Sequence, residues 1–542
     1  MANREDLAII RAARAGQAEA QLTLGKRYLF GGNGLPQSLG TAFHWLERAA
    51  RQGLADAWML IAQHIPYEVV MPLAKPQDAA LWYERAFDAG LSKAGLVFAR
   101  LVLGNVAQIS ADLKRKAIRA LEVVAREGNP DAQWLLAQQS PEVQQQLAQS
   151  DEAGTAAAGV EPAQQEPAAA RPQDEIRQWT QRAADAGIEQ AQHALADAAW
   201  SQSDIPGFLR RAEPLADVLL RQYEAVASQL NAPAEMLASS LGGQNVRLLR
   251  RLAQVRLGEA QPNLLYVQQL LELAALAGDR DAQLGLGLLY GRMDEQGERQ
   301  FPGRGSANYK KAIRWLTLAG EQGMAAAWYA LSRIYLKPEF SQRNLVDVQH
   351  YLERAAEMGH MAAQLECGVT AWRNRRDDPA NDVRALYWLQ KAATQGSAQA
   401  QSLLEKVADR PGTAPWAVQA RAQLTRELIN AYPFLAARIE LAALFKLTRP
   451  EALLLDLKQA DCGHCLMVDI RAQYARSKRR LIMVETGEER GALNRIGRLF
   501  EDVDCGPFGP EGNYRQRLYR LKAAVPDTGS SVEEAEEQGT EV

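Results

Sequence analysis

The sequence predicts an all-α chain, a solenoid of helix hairpins followed by a small C-terminal module of α+β or helical character. Three observations carry this prediction. The stretch at residues 45–57, WLERAARQGLADA, returns nearly word for word at residues 388–400 as WLQKAATQGSAQA. One glycine recurs as Gly16, Gly53, Gly90, Gly128, Gly187, Gly278, Gly323, Gly359 and Gly396, at steps of 37, 37, 38, 59, 91, 45, 36 and 37 residues. Each copy has an alanine four residues later, and most have a large apolar side chain eight residues earlier: Trp45, Trp82, Trp179, Leu270, Trp315, Tyr351 and Trp388.

Each element of the unit has a physical reason. A glycine just past a helix end takes the left-handed conformation that closes off the last carbonyls, so the helix stops and the chain reverses. Alanines such as Ala57 let two helices approach closely, and residues at i, i+4 and i+8 share one helix face. One hairpin is too small to bury its own apolar face and must stack on the next. Trp45, Gly53, Ala57, Trp82, Gly90, Trp315, Gly323, Trp388 and Gly396 are therefore read as structural repeat positions.

The pattern W-L-x-x-A-A-x-x-G-x-x-x-A, followed by an apolar helix such as AQLTLGKRYL at residues 20–29 and a glycine-rich loop at 32–36, resembles Sel1-like repeats, relatives of the tetratricopeptide repeats. The resemblance covers residues 5–139 and 174–408. It implies an α-solenoid scaffold that holds protein partners in a groove, of bacterial origin.

Taken in order, residues 1–139 form a first repeat block, with a proline-rich loop at 65–76 expected to project from the stack. Residues 140–173 are rich in Ala, Gln and Pro and read as a flexible linker. A second block occupies 174–410, with a degenerate region at 200–262 read as two hairpins and a polar, glycine-rich loop at 291–307. Residues 411–525 form the C-terminal module, in which 465–470 and 481–485 have strand-like length and composition. The tail at 526–542 holds six acidic residues and no Lys or Arg, and is expected to be disordered.

A net charge of −3 over 542 residues argues against a protein that coats nucleic acid along its length. No run approaches the eighteen or so apolar residues of a membrane span. The N-terminus lacks the pattern of a secretory signal, and four cysteines make no disulfide framework, so a cytoplasmic location is expected.

No phosphate loop, nucleophile elbow or zincin helix is present, so no enzyme is expected and no catalytic residue or cofactor is assigned. Two local signals remain. Cys462 and Cys465 form a C-x-x-C pair, which can chelate zinc together with Cys505 or run thiol–disulfide exchange. Residues 439–453 are compatible with a helix-turn-helix, and Arg476, Lys478, Arg479 and Arg480 follow as a basic cluster, extended by Arg490, Arg495, Arg498, Arg515, Arg517 and Arg520. The leading function is a non-enzymatic scaffold or adaptor holding a protein partner in the solenoid groove. The alternative is a nucleic-acid-associated regulator that uses the basic module.

Overall fold

A computed structural model describes residues 4–31, 35–72, 76–104, 110–139, 173–230, 241–300, 306–341, 343–408 and 414–526. The linker and the acidic tail expected at 140–173 and 526–542 fall almost wholly outside these residues. The chain divides into two units, 1–273 and 274–542. Both are helical, and the only sheet among the described residues has two strands. No helix among them is long and apolar enough to cross a membrane.

The hairpin turns follow from the glycines. All nine repeat glycines have φ between +89° and +96°. At Gly53 the amide donates to Ala50 O at 2.9 Å and the next amide, of Leu54, to Ala49 O at 3.4 Å, the paired bonds that satisfy the last carbonyls of a helix. In four hairpins the residue after the glycine caps the next helix: Asn129, Asp279, His360 and Ser397 each accept from the backbone N–H of the recurring alanine. Eight of those alanines, Ala57 to Ala400, are fully buried.

Two further periodic positions hold the helices together. A glutamine five residues after the glycine donates its amide to the carbonyl three residues before that glycine: Gln21 to Ala13, Gln133 to Ala125, Gln192 to Ala184, Gln283 to Ala275 and Gln364 to Ala356, all at 3.0–3.1 Å. The oxygens of Gln21, Gln283 and Gln364 then accept from Gln52, Gln322 and Gln395 of the following hairpin, each at 2.8 Å. At the Gly323 copy the place is taken by Trp328, whose indole N–H donates to Gly320 O at 3.1 Å. Nine residues after the turn, Gly25, Gly287 and Gly368 leave room for Leu46, Leu316 and Leu389, which a Cβ would meet at 2.7, 2.6 and 2.8 Å.

In the first unit, helix Pro130–Ala137 packs directly on helix Gln173–Asp185, and Trp134 Nε1 donates to Gln190 Oε1 at 3.1 Å. The hairpins on either side of the Ala/Gln/Pro segment are thus stacking neighbours. One expectation changes. The loop at 65–76 does not project over its described part: Pro66 starts the short helix Tyr67–Val70, Val70 is buried, and Tyr83 Oη donates to Ile65 O at 2.8 Å. Over residues 200–262, where two hairpins are expected, the described part comprises helix Ile205–Leu230, which runs for 26 residues through Pro214, and helix Gly243–Leu257, and residues 231–240 lie outside the described residues.

In the second unit the loop after helix Arg280–Gly291 folds back as a small turn. Asp294 accepts from the amides of Gln296 and Glu298, and Lys337 Nζ donates to Gly297 O at 2.6 Å. The C-terminal module comprises helices Pro415–Ala422, Arg426–Ala431, Pro433–Phe445, Arg449–Leu454 and Leu457–Ala460, strands β1 (Cys465–Val468) and β2 (Arg480–Met483), and helices Gly487–Leu499 and Tyr514–Ala524. The strands pair antiparallel with Cys465 opposite Met483. Its core is braced by two buried arginines. Arg438 makes a bidentate pair with Glu511 at 2.9 and 2.6 Å and donates to the Ala452 and Leu455 carbonyls. Arg517 donates to the carbonyls of Leu453, Cys505, Gly506 and Gly512. The module closes the end of the hairpin stack: Cys465 and Leu481 share one apolar cluster with Leu386, Leu389, Ala400 and Leu404.

Candidate functional site

The hairpin geometry leaves one face of each first helix in solvent, and there a cation recurs five residues before the glycine. In the first unit Arg48, Arg85 and Arg182 lie over the rings of Trp45, Trp82 and Trp179, with guanidinium carbons 5.7, 5.3 and 4.9 Å from the ring centroids. In the second unit Arg354 lies 4.0 Å over Trp328 and Lys391 5.1 Å over Tyr387. All five are exposed, and none forms an ion pair among the described residues. Each cation–ring contact contributes about 0.5–1 kcal/mol at such exposed sites, enough to lay the side chain flat and hold its charge in place. The three-residue spacing of Trp45/Arg48, Trp82/Arg85 and Trp179/Arg182 puts ring and charge on the same helix face. The recurrence of this cation is visible in the sequence three residues after Trp45, Trp82 and Trp388, whereas after Trp315 the position is Leu318.

The two signals in the module are differently disposed. Cys462 and Cys465 stand across a tight turn at the junction with helix Asn381–Thr394, whereas Cys505 is buried in the separate core around Leu457 and Phe500. The zinc set Cys462, Cys465 and Cys505 is therefore not assembled, and among the described residues no group of three or more His, Cys, Asp or Glu is placed to hold a metal ion. The thiol of Cys465, donating to its neighbour, draws the Cys462 pKa down to about 7 against the effect of burial, while Cys465 itself is pushed up by the same contact and by burial. Burial also raises Cys505 and holds His464 below the ordinary imidazole range.

Part of the basic cluster is spent on internal pairing. Arg479 makes a bidentate pair with Asp382 at 2.9 and 2.7 Å, and Arg480 one with Glu451 at 2.8 and 2.6 Å. Arg490 pairs with Asp461, Arg495 with Glu440, and Arg517 is buried. Arg476 and Lys478 of the four candidates, with Arg498 and Arg515 of the extension, remain exposed without a salt bridge among the described residues, and Arg520 donates to Glu511 O. The second helix of the expected helix-turn-helix, Arg449–Leu454, has six residues, and Glu451 to Leu454 are buried, so it presents no groove-reading face.

The module also carries an open cleft of about 640 Å³ between helices Pro433–Phe445 and Gly487–Leu499, lined by Leu424, Ile429, Ala436, Ile496 and Leu499 with Arg421 and Arg498 at its rim. Its lining is mainly apolar and also includes Glu440 and Arg495, which pair with each other.

Residues 18–54, 280–324, 325–360 and 363–397 match the Sel1 repeat family. Each matched span begins at or near a second helix and ends past the first helix of the next hairpin, and the one at 280–324 is longer because it includes the polar loop. No curated protein matches the chain. Among solved structures, a protective antigen with an SLR fold from uropathogenic Escherichia coli is similar over 82% of this chain and 95% of its own, at 22% identity and a TM-score of 0.40. A Sel1 repeat protein from Oxalobacter formigenes is similar over 75% of this chain and 90% of its own, at 19% identity and a TM-score of 0.22. In these four segments the helix hairpins of this chain are Sel1 repeats.

Proposed function

We propose that the protein is a non-enzymatic scaffold of the bacterial cytoplasm that holds an acidic segment of a protein partner against the first helices of its repeats. The observation that carries this reading is the row of exposed, unpaired cations laid on aromatic rings at one repeat position: Arg48, Arg85 and Arg182 in one unit, Arg354 and Lys391 in the other. In the consecutive pairs Arg48/Arg85 and Arg354/Lys391, each 37 residues apart in the chain, charges above apolar rings suit an extended peptide that alternates carboxylates with apolar side chains. The four free thiols fit a reducing compartment.

The test is binding of a labelled peptide of alternating Glu and Leu to the full-length chain, followed by fluorescence anisotropy over a salt series. Charge reversal in the pairs Arg48→Glu with Arg85→Glu, and Arg354→Glu with Lys391→Glu, is expected to weaken binding about tenfold or more and to flatten its salt dependence. Unchanged affinity in both variants, with circular dichroism intact, removes the proposal. A DNA duplex serves as the rival probe. Salt-dependent duplex binding lost on changing Arg476 and Lys478 to Glu, with peptide binding absent, would favour the nucleic-acid reading instead.

A further inference from the structure

The turn at the head of β1 has a geometry that the scaffold role leaves unused. Asp461 and Leu466 form an antiparallel bridge, and inside it Cys462 N donates to Cys465 O at 3.0 Å across a two-residue loop of Gly463 and His464. Gly463 has φ +84°, as such a loop requires. Residues paired this way have Cα atoms about 5.5 Å apart, in the middle of the range a disulfide spans. The turn is held from outside. Asp461 accepts from the Gly463 amide at 2.9 Å, and Arg490 clamps Asp461 at 3.0 and 2.8 Å while also donating to Gly463 O. His464 is fixed by Nε2 facing Val383 O at 3.0 Å and by its edge contact with Tyr387.

The two thiols are unequal. Cys465 is fully buried against the last hairpin, whereas Cys462 is half-buried at the turn. We propose that Cys462 and Cys465 form a reversible dithiol–disulfide site that exchanges with a low-molecular-weight disulfide such as oxidised glutathione, Cys462 attacking and Cys465 resolving. With a pKa of about 7, Cys462 is about half thiolate at neutral pH, and an attacking thiol is most effective when its pKa lies near the ambient pH.

The chemistry balances with that oxidant. The Cys462 thiolate attacks one sulfur of RSSR, forming the Cys462–SR mixed disulfide and releasing RS⁻, which takes a proton to become RSH. Cys465 then attacks the Cys462 sulfur, the second RS⁻ leaves, and the Cys465 proton ends on it. Two protein thiols are oxidised by two electrons and RSSR is reduced to two RSH. Because Cys465 packs with Leu386 and Leu389, the bond would form at the seam between the module and the repeat array.

The test uses the full-length chain, equilibrated anaerobically in glutathione redox buffers, then alkylated and analysed by intact and peptide mass spectrometry. The expected result is a loss of about 2 Da with a Cys462–Cys465 cross-link, reversed by excess reduced glutathione. Cys465→Ser, with Cys465→Ala in case serine unsettles the apolar pocket, is expected to trap a glutathione adduct on Cys462. Cys462→Ser is expected to slow adduct formation on Cys465 roughly tenfold or more relative to that of Cys462. In the reduced protein, alkylation of Cys462 is expected to rise with pH through a midpoint near 7. Absence of the cross-link at every redox ratio, preferential reaction at Cys367 or Cys505, or zinc retained stoichiometrically by Cys462 and Cys465 would each overturn the proposal.

Discussion

Gln364 in the repeats and Arg438 in the C-terminal module both satisfy carbonyls at a helix end, and the way each does so separates the two regions. Gln364 reaches a carbonyl eight residues back and accepts from Gln395 one hairpin on, a local bond that recurs at the same place in other copies. Arg438 is buried, binds the end of a neighbouring short helix, and is neutralised by Glu511, which is 73 residues away in sequence. The repeats spread their stability over many small, interchangeable contacts, whereas the module concentrates it in a few ionic braces that nothing duplicates.

The sharpest break in that contrast is Arg438→Met. It leaves Glu511 with only the longer 3.9 Å contact to Arg517 and frees two carbonyls, so we expect a loss of about 3–5 kcal/mol, read as faster hydrogen exchange in peptides of 414–526 with the repeats little changed. A cost under about 1 kcal/mol would mean the brace is not what holds the module. Next comes Gly287→Ala, whose Cβ would sit 2.6 Å from Leu316 and is expected to cost about 1–3 kcal/mol by overpacking. Gly53→Ala tests a different property of glycine. Nothing lies within 4 Å of the added carbon, so only the φ of +93° opposes it, at about 1–2 kcal/mol; urea denaturation should rank the two variants in that order. The smallest effect belongs to Gln364→Leu, about 1 kcal/mol, since Gln395 keeps its second bond to Gly359 O. A larger loss there than at Gly287 would show that the amide ladder, and not close packing, sets repeat stability.

The same contrast explains what could be read in advance. A glycine that must turn the chain, an alanine that must be small and a helix with one apolar face leave marks that recur every 36 to 38 residues in most copies, so Gly53, Ala57 and their equivalents were legible. The two strands were also legible, because 465–468 and 480–483 lie within or beside apolar runs of strand length. The glutamine five residues past the glycine and the cation five before it recur as visibly, yet their meaning depends on which carbonyl or ring lies opposite, and only packing supplies that. Arg517 and Arg479 show the opposite failure. As charges in a basic stretch they look solvated, but Arg517 meets carbonyls from three separate segments and Arg479 meets Asp382 across 97 residues, distances at which a single sequence carries no periodic trace.

Trp328 and Gly320 have a consequence for how such an array changes over time. The indole does the donor work that glutamine does in sister hairpins, but its ring occupies the space that any β-carbon at residue 320 would need, with Cε2 only 2.5 Å away. The two positions are therefore epistatic: the glycine is tolerable with either donor, the tryptophan only with the glycine. A lineage could reach this pair by losing the side chain at 320 first and gaining the ring second, and the reverse order passes through a clash. Once fixed, the tryptophan stacks on Tyr351 and lies beneath Arg354, so a substitution accommodated inside one hairpin rewrites the outer surface of the next.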